Sequence, residues 1–255
     1  MPINNALNNT ALEDFLVTTA TAGTTRTLTV SNTNNANAAS AALVAVTTGG
    51  ASAGDAYHRV STTTTSWAFG VDNSVTSPTA DPFVISQSTV LGTNNVMSVA
   101  TSGEINYPLQ PCFLSGNSAN QNNITGDAVT YTVTFVNEVF DQNNDFDGTS
   151  TFTAPVTGRY LFATSLTFTG ILVASFGNTI AFITSNATVI TFYGRLFNII
   201  ETSDGGLGYS SSTIADMDAA DTCSVRIQFS GTARVVDVVG NGSFRQTTFS
   251  GYLIA

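Results

Sequence analysis

The chain has 255 residues and a mass of 26.5 kDa, and only 9% of its residues are charged. All seven basic residues are Arg and lysine is absent, against 17 acidic residues and a net charge of −10. Nucleic-acid binding needs clustered cations to displace counterions from phosphates, so this balance excludes it. Four Glu and no Lys leave little to solubilise long helix faces, so a helical bundle is also excluded. A hydrophobic content of 42% with 17 Phe excludes intrinsic disorder.

Residues 1–38 are rich in Asn, Thr and Ala and poor in aromatics, which predicts an extended arm with little core. A short helix over Ala11 to Val17, capped by Thr10, is the only helical expectation. The start of the chain lacks both the basic residue and the continuous apolar core of a secretory signal. No run of apolar residues is long enough to span a membrane as a helix.

Along most of the chain, from the end of the arm onward, apolar and polar residues alternate with the period of half-buried strands. Thr27-Leu28-Thr29-Val30, Thr130-Tyr131-Thr132-Val133-Thr134-Phe135 and Ser224-Val225-Arg226-Ile227-Gln228-Phe229 are examples. Turn residues punctuate these runs at Gly49-Gly50, Asp72-Asn73, Asp204-Gly205-Gly206 and Gly240-Asn241-Gly242. The pattern predicts an all-β chain of sandwich, jelly-roll or barrel type. Residues 39–107 form a small β module, with the sole tryptophan, Trp67, and Phe69 read as core and Asp72-Asn73 as a turn. Tyr107-Pro108-Leu109-Gln110-Pro111 reads as an extended connector, because each proline restricts itself and its predecessor. A larger domain follows over 108–255. Cys112 and Cys223 are too few for a disulfide framework or a zinc site, and both are read as buried free thiols, with pairing as the alternative.

The C-terminal part carries an ordered set of aromatics and glycines. Pro111-Cys112-Phe113-Leu114 opens it. Phe135, Asp141 and Phe146 follow, then Phe152, then Gly158-Arg159-Tyr160-Leu161-Phe162. Asp221-Thr222-Cys223-Ser224-Val225 comes late, and Phe249-Ser250-Gly251-Tyr252-Leu253 closes the chain. Over residues 109–255 this resembles the globular domain of the C1q/TNF superfamily. There are departures: Phe152 comes one residue early, Thr164 stands where a further aromatic is expected, and Ala220 stands in place of a glycine. The resemblance implies a ten-stranded jelly roll that trimerises through an apolar interface, binds through exposed loops and has no enzymatic activity. In the middle unit, Gly54-Asp55-Ala56-Tyr57, Trp67-Ala68-Phe69-Gly70, Leu91-Gly92-Thr93-Asn94 and Gly103-Glu104-Ile105-Asn106 resemble modules of phage tail-fibre proteins.

Candidate chemistry is sparse. His58 is the only histidine, so a Ser-His-Asp site would have to use it; we read it as an ordinary strand or loop residue. No nucleophile elbow and no phosphate-binding loop occur, and no catalytic residue is expected. Hard cations want several oxygen ligands, so two acidic clusters are calcium candidates. One is Asp141, Asp145 and Asp147, with Asn143 beside them; the other is Asp216, Asp218 and Asp221. The first mimics the start of an EF-hand loop, but Ala154 stands where the bidentate Glu belongs. Both clusters are read first as solvated loops, and no other cofactor is implied. Tyr193, Tyr209 and Phe244 are candidate sugar or receptor contacts, with strand packing or a subunit interface as the plainer reading.

These readings combine into a non-enzymatic, trimeric structural or adhesive protein at a virion or extracellular surface. A virion fibre, spike or decoration protein is the first expectation. The arm would contact neighbouring structural subunits, and the loops a cell-surface receptor or glycan. A bacterial surface adhesin or extracellular lectin-like module is the alternative.

Overall fold

A computed structural model describes residues 25, 27–33, 41–49, 54–74, 80–185, 189–194 and 205–255. The helix expected over Ala11 to Val17 lies outside them. Among the described residues all helical or strand structure is strand, so the chain is all-β.

Five strands come first: β1 (Ala56–Ser61), β2 (Ser66–Val71), β3 (Phe83–Ser86), β4 (Asn95–Val99) and β5 (Ile105–Asn106). They form one antiparallel meander in sequence order. The sheet is a single layer. Leu91, from the loop joining β3 to β4, covers one face and buries Ala68 and Val84, with Tyr57 packed alongside. Tyr57 lies so close over Gly70 that a Cβ there would sit 2.5 Å from the Tyr57 Cα, which requires glycine at this position.

That arrangement corrects the expectation for Trp67 and Phe69. Alternation places them opposite Ala68 and Gly70, on the uncovered face, where they are 38% and 37% exposed. Asp72-Asn73 is the expected turn, closed by Asp72 Oδ1, which accepts the Ser74 N–H at 3.0 Å.

The remaining strands are β6 (Cys112–Gly116), β7 (Gln121–Thr125), β8 (Tyr131–Thr132), β9 (Asn137–Asp141), β10 (Thr151–Thr153), β11 (Gly158–Ile171), β12 (Phe176–Thr184), β13 (Val189–Gly194), β14 (Gly205–Met217), β15 (Thr222–Ser230), β16 (Val236–Val238) and β17 (Thr248–Leu253). One sheet runs β9-β6-β17-β11-β14, and β16 and β7 extend it along the β17 side of β11. The other runs β10-β15-β12-β13, with β8 also on β15. The chain passes from β11 in the first sheet to β12 and β13 in the second, returns in β14, crosses in β15 and closes in β17. This repeated crossing between two antiparallel sheets is a jelly roll.

The signature aromatics fill the space between the sheets. Phe113, Phe135, Phe152, Tyr160, Phe162 and Phe249 are all at most 1% exposed. The Phe113 and Phe249 rings meet edge-on at 5.0 Å, a favoured aromatic geometry. The early Phe152 is accommodated because Phe146 and Phe152 bridge to each other across a tight hairpin. Thr164, in place of an aromatic, is buried with its hydroxyl donating to the Thr248 carbonyl at 2.8 Å. Ala220 adopts φ 73°, the left-handed conformation that glycine takes without strain. Both cysteines are free thiols. Cys223 is buried on β15, and burial pushes its thiol well above the ordinary range. Cys112 is only half-buried, because it stands on the outer side of β6.

The connector 107–111 is tied to the jelly roll. The Gln142 amide donates to the carbonyls of Tyr107 at 2.7 Å and Gln110 at 2.9 Å. Asn143 donates to the Leu109 carbonyl at 2.7 Å, and Gln110 donates to the Leu253 carbonyl at 2.7 Å.

Candidate functional site

The first sheet has an outer face of unusual composition. Inward positions of β11 carry Tyr160, Phe162 and Leu166, so Leu161, Ala163 and Ser165 point outward. Register aligns them with their neighbours. One row crosses the sheet through Phe140, Leu114, Ser250, Ala163 and Ser212. The next runs through Cys112, Tyr252, Leu161 and Ile214. A third runs through Thr248, Ser165 and Ser210.

None of these twelve positions is charged. The face is apolar at one end, where Ile214 is 57% exposed, and lined by small hydroxyl residues at the other. Those small residues leave a shallow depression of about 410 Å³ over Ala163, Ser165, Ser210 and Ser212. Arg159 and Asp216, in register with each other, mark the charged edge. The outer face of the second sheet differs, since β15 presents Arg226 and Gln228 there.

The acidic residues act as turn formers. Asp141 accepts the N–H groups of Asp145 at 3.2 Å and Phe146 at 2.8 Å. Asp147 Oδ1 accepts those of Thr149, Ser150 and Thr151 at 2.7 to 3.0 Å. Burial raises the Asp147 carboxyl pKa, but these donated hydrogen bonds outweigh burial and hold it below the ordinary carboxylate range. Asp145 is pushed the other way by burial and by neighbouring Asp141, and its Oδ2 is buried without a hydrogen-bond partner. In the second cluster, Asp221 accepts the Asp218 N–H at 3.0 Å and the Ser185 hydroxyl at 2.9 Å, while Asp216 faces outward on β14. Among the described residues no group of three or more His, Cys, Asp or Glu side chains is placed to hold a metal ion.

His58 stacks on Phe69, ring centroids 5.4 Å apart, on the open face of β1–β5. Tyr209 packs against the jelly-roll core, whereas Phe244 is 68% exposed in the loop before β17. The side chain of Tyr193 lies outside the described residues. Among the described residues no helix is long and apolar enough to cross a membrane.

No family model matches the chain, and no curated protein matches it in sequence. Solved structures do match over 57% of the chain. The globular domain of zebrafish complement 1qA protein aligns over 98% of its own length at 18% identity, with a TM-score of 0.39. Murine APRIL at pH 5.0 aligns over 99% of its length at 11% identity, with a TM-score of 0.41. The jelly-roll assignment itself rests on the strand order and crossings described above.

Alternation along any one strand does not single out the uncharged outer face. The run Ser210-Ser211-Ser212 is a visible signal, but which hydroxyls share a face with Ala163 and Ser165 depends on the pairing of β14 with β11.

Proposed function

We propose that the chain is a non-enzymatic structural or adhesive protein that works as a homotrimer. Its jelly roll is the head of a virion fibre, spike or decoration protein. The division into an arm (1–38), a β module (39–107) and a head (108–255) belongs to this reading. The observation that carries it is the outer face of β9-β6-β17-β11-β14. A protein of net charge −10 with so extended an uncharged face gains by covering it, and small side chains allow close approach of another subunit. Threefold symmetry then presents three copies of the exposed loops, Phe244 included, so that avidity offsets weak single contacts. The arm attaches to the particle or to a neighbouring subunit by strand addition.

Sedimentation of the full chain at micromolar concentration tests the assembly: a trimer is expected, and a monomer overturns the reading. Antibody labelling of intact particles tests the location. Labelled virions are expected, and labelling confined to a cell surface favours an adhesin.

A further inference from the structure

The β1–β5 sheet has an apolar face that nothing described in its own chain covers. Register builds it in rows. Ala56, Val71, Phe83, Val99 and Ile105 form one row across all five strands. His58, Phe69, Ile85 and Met97 form the next, and Val60 pairs with Trp67 beyond them. No residue in these rows carries a formal charge with His neutral, yet Val60 is 61% and Ile105 56% exposed. The described stretches before β1 do not shield it: Leu28 and Leu43 are themselves 69% and 76% exposed.

We infer that this face is packed against the same face of other copies of the chain, as three sheets turned inward around a common axis. The inference rests on the trimer proposed above and assigns it a second, separate contact. Three observations select this occupant. The first is size. Five strands about 4.8 Å apart and about five residues long at 3.3 Å each give a face of about 300 Å². A stable interface takes about 800 Å² per partner, so the face is too small to hold two proteins together alone and suits an extension of a larger interface. The second is continuity. Ile105 leads into Tyr107 and Leu109, 48% and 47% exposed, and the connector then joins the jelly roll where the Pro111 carbonyl accepts the Leu253 N–H, between Tyr252 and Ile254, 46% and 44% exposed. The hydrogen bonds from Gln110, Gln142 and Asn143 pin that connector, so trimerised heads hold three modules close together. The third is charge. An uncharged face offers a charged partner nothing to recognise, whereas identical copies meet there without repulsion.

Trp67 is the only tryptophan in the chain and lies on this face, so its fluorescence reports the contact directly. The test is acrylamide quenching of the full chain, with sedimentation on the same samples. Expected is a trimer whose Trp67 emission is blue-shifted and several-fold less quenched than after unfolding. Val60→Asp, beside Trp67 and exposed in the single chain, is expected to shift emission to the red and restore full quenching. Val60→Thr keeps a β-branched residue and is expected to fall between. A trimer with freely quenched Trp67 overturns the inference and leaves the head trimer standing. A monomer with freely quenched Trp67 overturns both. A monomer with protected Trp67 also overturns the inference, because the cover then comes from the same chain. Wild-type protection that survives Val60→Asp overturns it as well.

Discussion

Gly251 on β17 and Phe162 on β11 are register partners, and the Phe162 ring leans over the glycine. A Cβ on Gly251 would lie 2.7 Å from the Phe162 ring and 2.8 Å from that of Phe113 on the opposite neighbouring strand. The glycine of the closing strand is therefore the space that two core rings occupy. Gly251→Ala is expected to destabilise the jelly roll by about 1–3 kcal/mol, the usual cost of overpacking a filled core. Chemical denaturation followed by circular dichroism measures it, and an unchanged midpoint would show that the rings yield freely.

Ala220 gives a prediction of opposite sign. Its φ of 73° is left-handed, and its N–H donates to the Ala154 carbonyl at 2.7 Å, so the turn between β14 and β15 holds it there. An L-residue in that conformation costs about 1–2 kcal/mol, while glycine loses about 0.5–1 kcal/mol more chain entropy on folding. Ala220→Gly is expected to stabilise by up to about 1.5 kcal/mol on this difference. A lower denaturation midpoint would contradict the strain argument.

These two positions show what is legible in the sequence. The aromatics at 135, 146, 152, 160, 162 and 249 are readable as a jelly-roll core because large rings at fixed spacing have few places to go, and all are buried. The departures at Phe152 and Thr164 are readable only as exceptions, since a bridge to Phe146 and a hydroxyl bond to Thr248 absorb them. Trp67 and Phe69 mislead for a different reason. Alternation tells that they share a face but not which face is covered, and here a loop covers the side of Ala68 and Val84. The outer face of the jelly roll is illegible because it is assembled from strands distant in sequence. The bracket that Gln142 and Asn143 form around the connector is hidden behind the acidic residues beside them.

Asp145 and Asp147 predict opposite pH effects two residues apart. The Asp147 pKa is lowered in the fold, because its hydrogen bonds outweigh burial. Its contribution is present above the ordinary carboxylate pKa of 3.8 and is lost as pH falls through the lower folded value. The Asp145 pKa is raised by burial and by Asp141, so ionised Asp145 costs stability at neutral pH and the cost disappears in acid. Asp147→Asn is expected to lower the denaturation midpoint at neutral pH, and Asp145→Asn to raise it. Both differences are expected to shrink in acid, and a matching sign for the two variants would contradict the assignment.

Calcium is a sharper question for the same loop. Both oxygens of Asp141 and Oδ1 of Asp147 already accept backbone N–H groups, and those of Asp221 accept from the Asp218 N–H and the Ser185 hydroxyl. Each carboxylate is thus oriented by its own turn, and among the described residues no three of these side chains converge to hold an ion. The melting temperature is therefore expected to stay the same with added calcium or with chelator. A ligand that binds only the folded state raises it, so a calcium-dependent rise that is lost in Asp141→Asn or Asp221→Asn would establish a site at that cluster.

Ala163 tests the proposed head trimer. It stands in the middle of the uncharged outer face, between Ser250 and Ser212 in register, with its side chain away from the core. In a single chain, a glutamate here can extend across the depression lined by serines and reach water. In a trimer built on this face, each copy would bury a carboxylate with no cation in the neighbouring rows to pair with it, and an unpaired buried charge is strongly disfavoured. Ala163→Glu is therefore expected to sediment as a folded monomer with wild-type circular dichroism. Arg226→Glu, on the outer face of the second sheet, is expected to leave the assembly intact. An Ala163→Glu protein that remains fully trimeric would place the subunit contact elsewhere on the jelly roll.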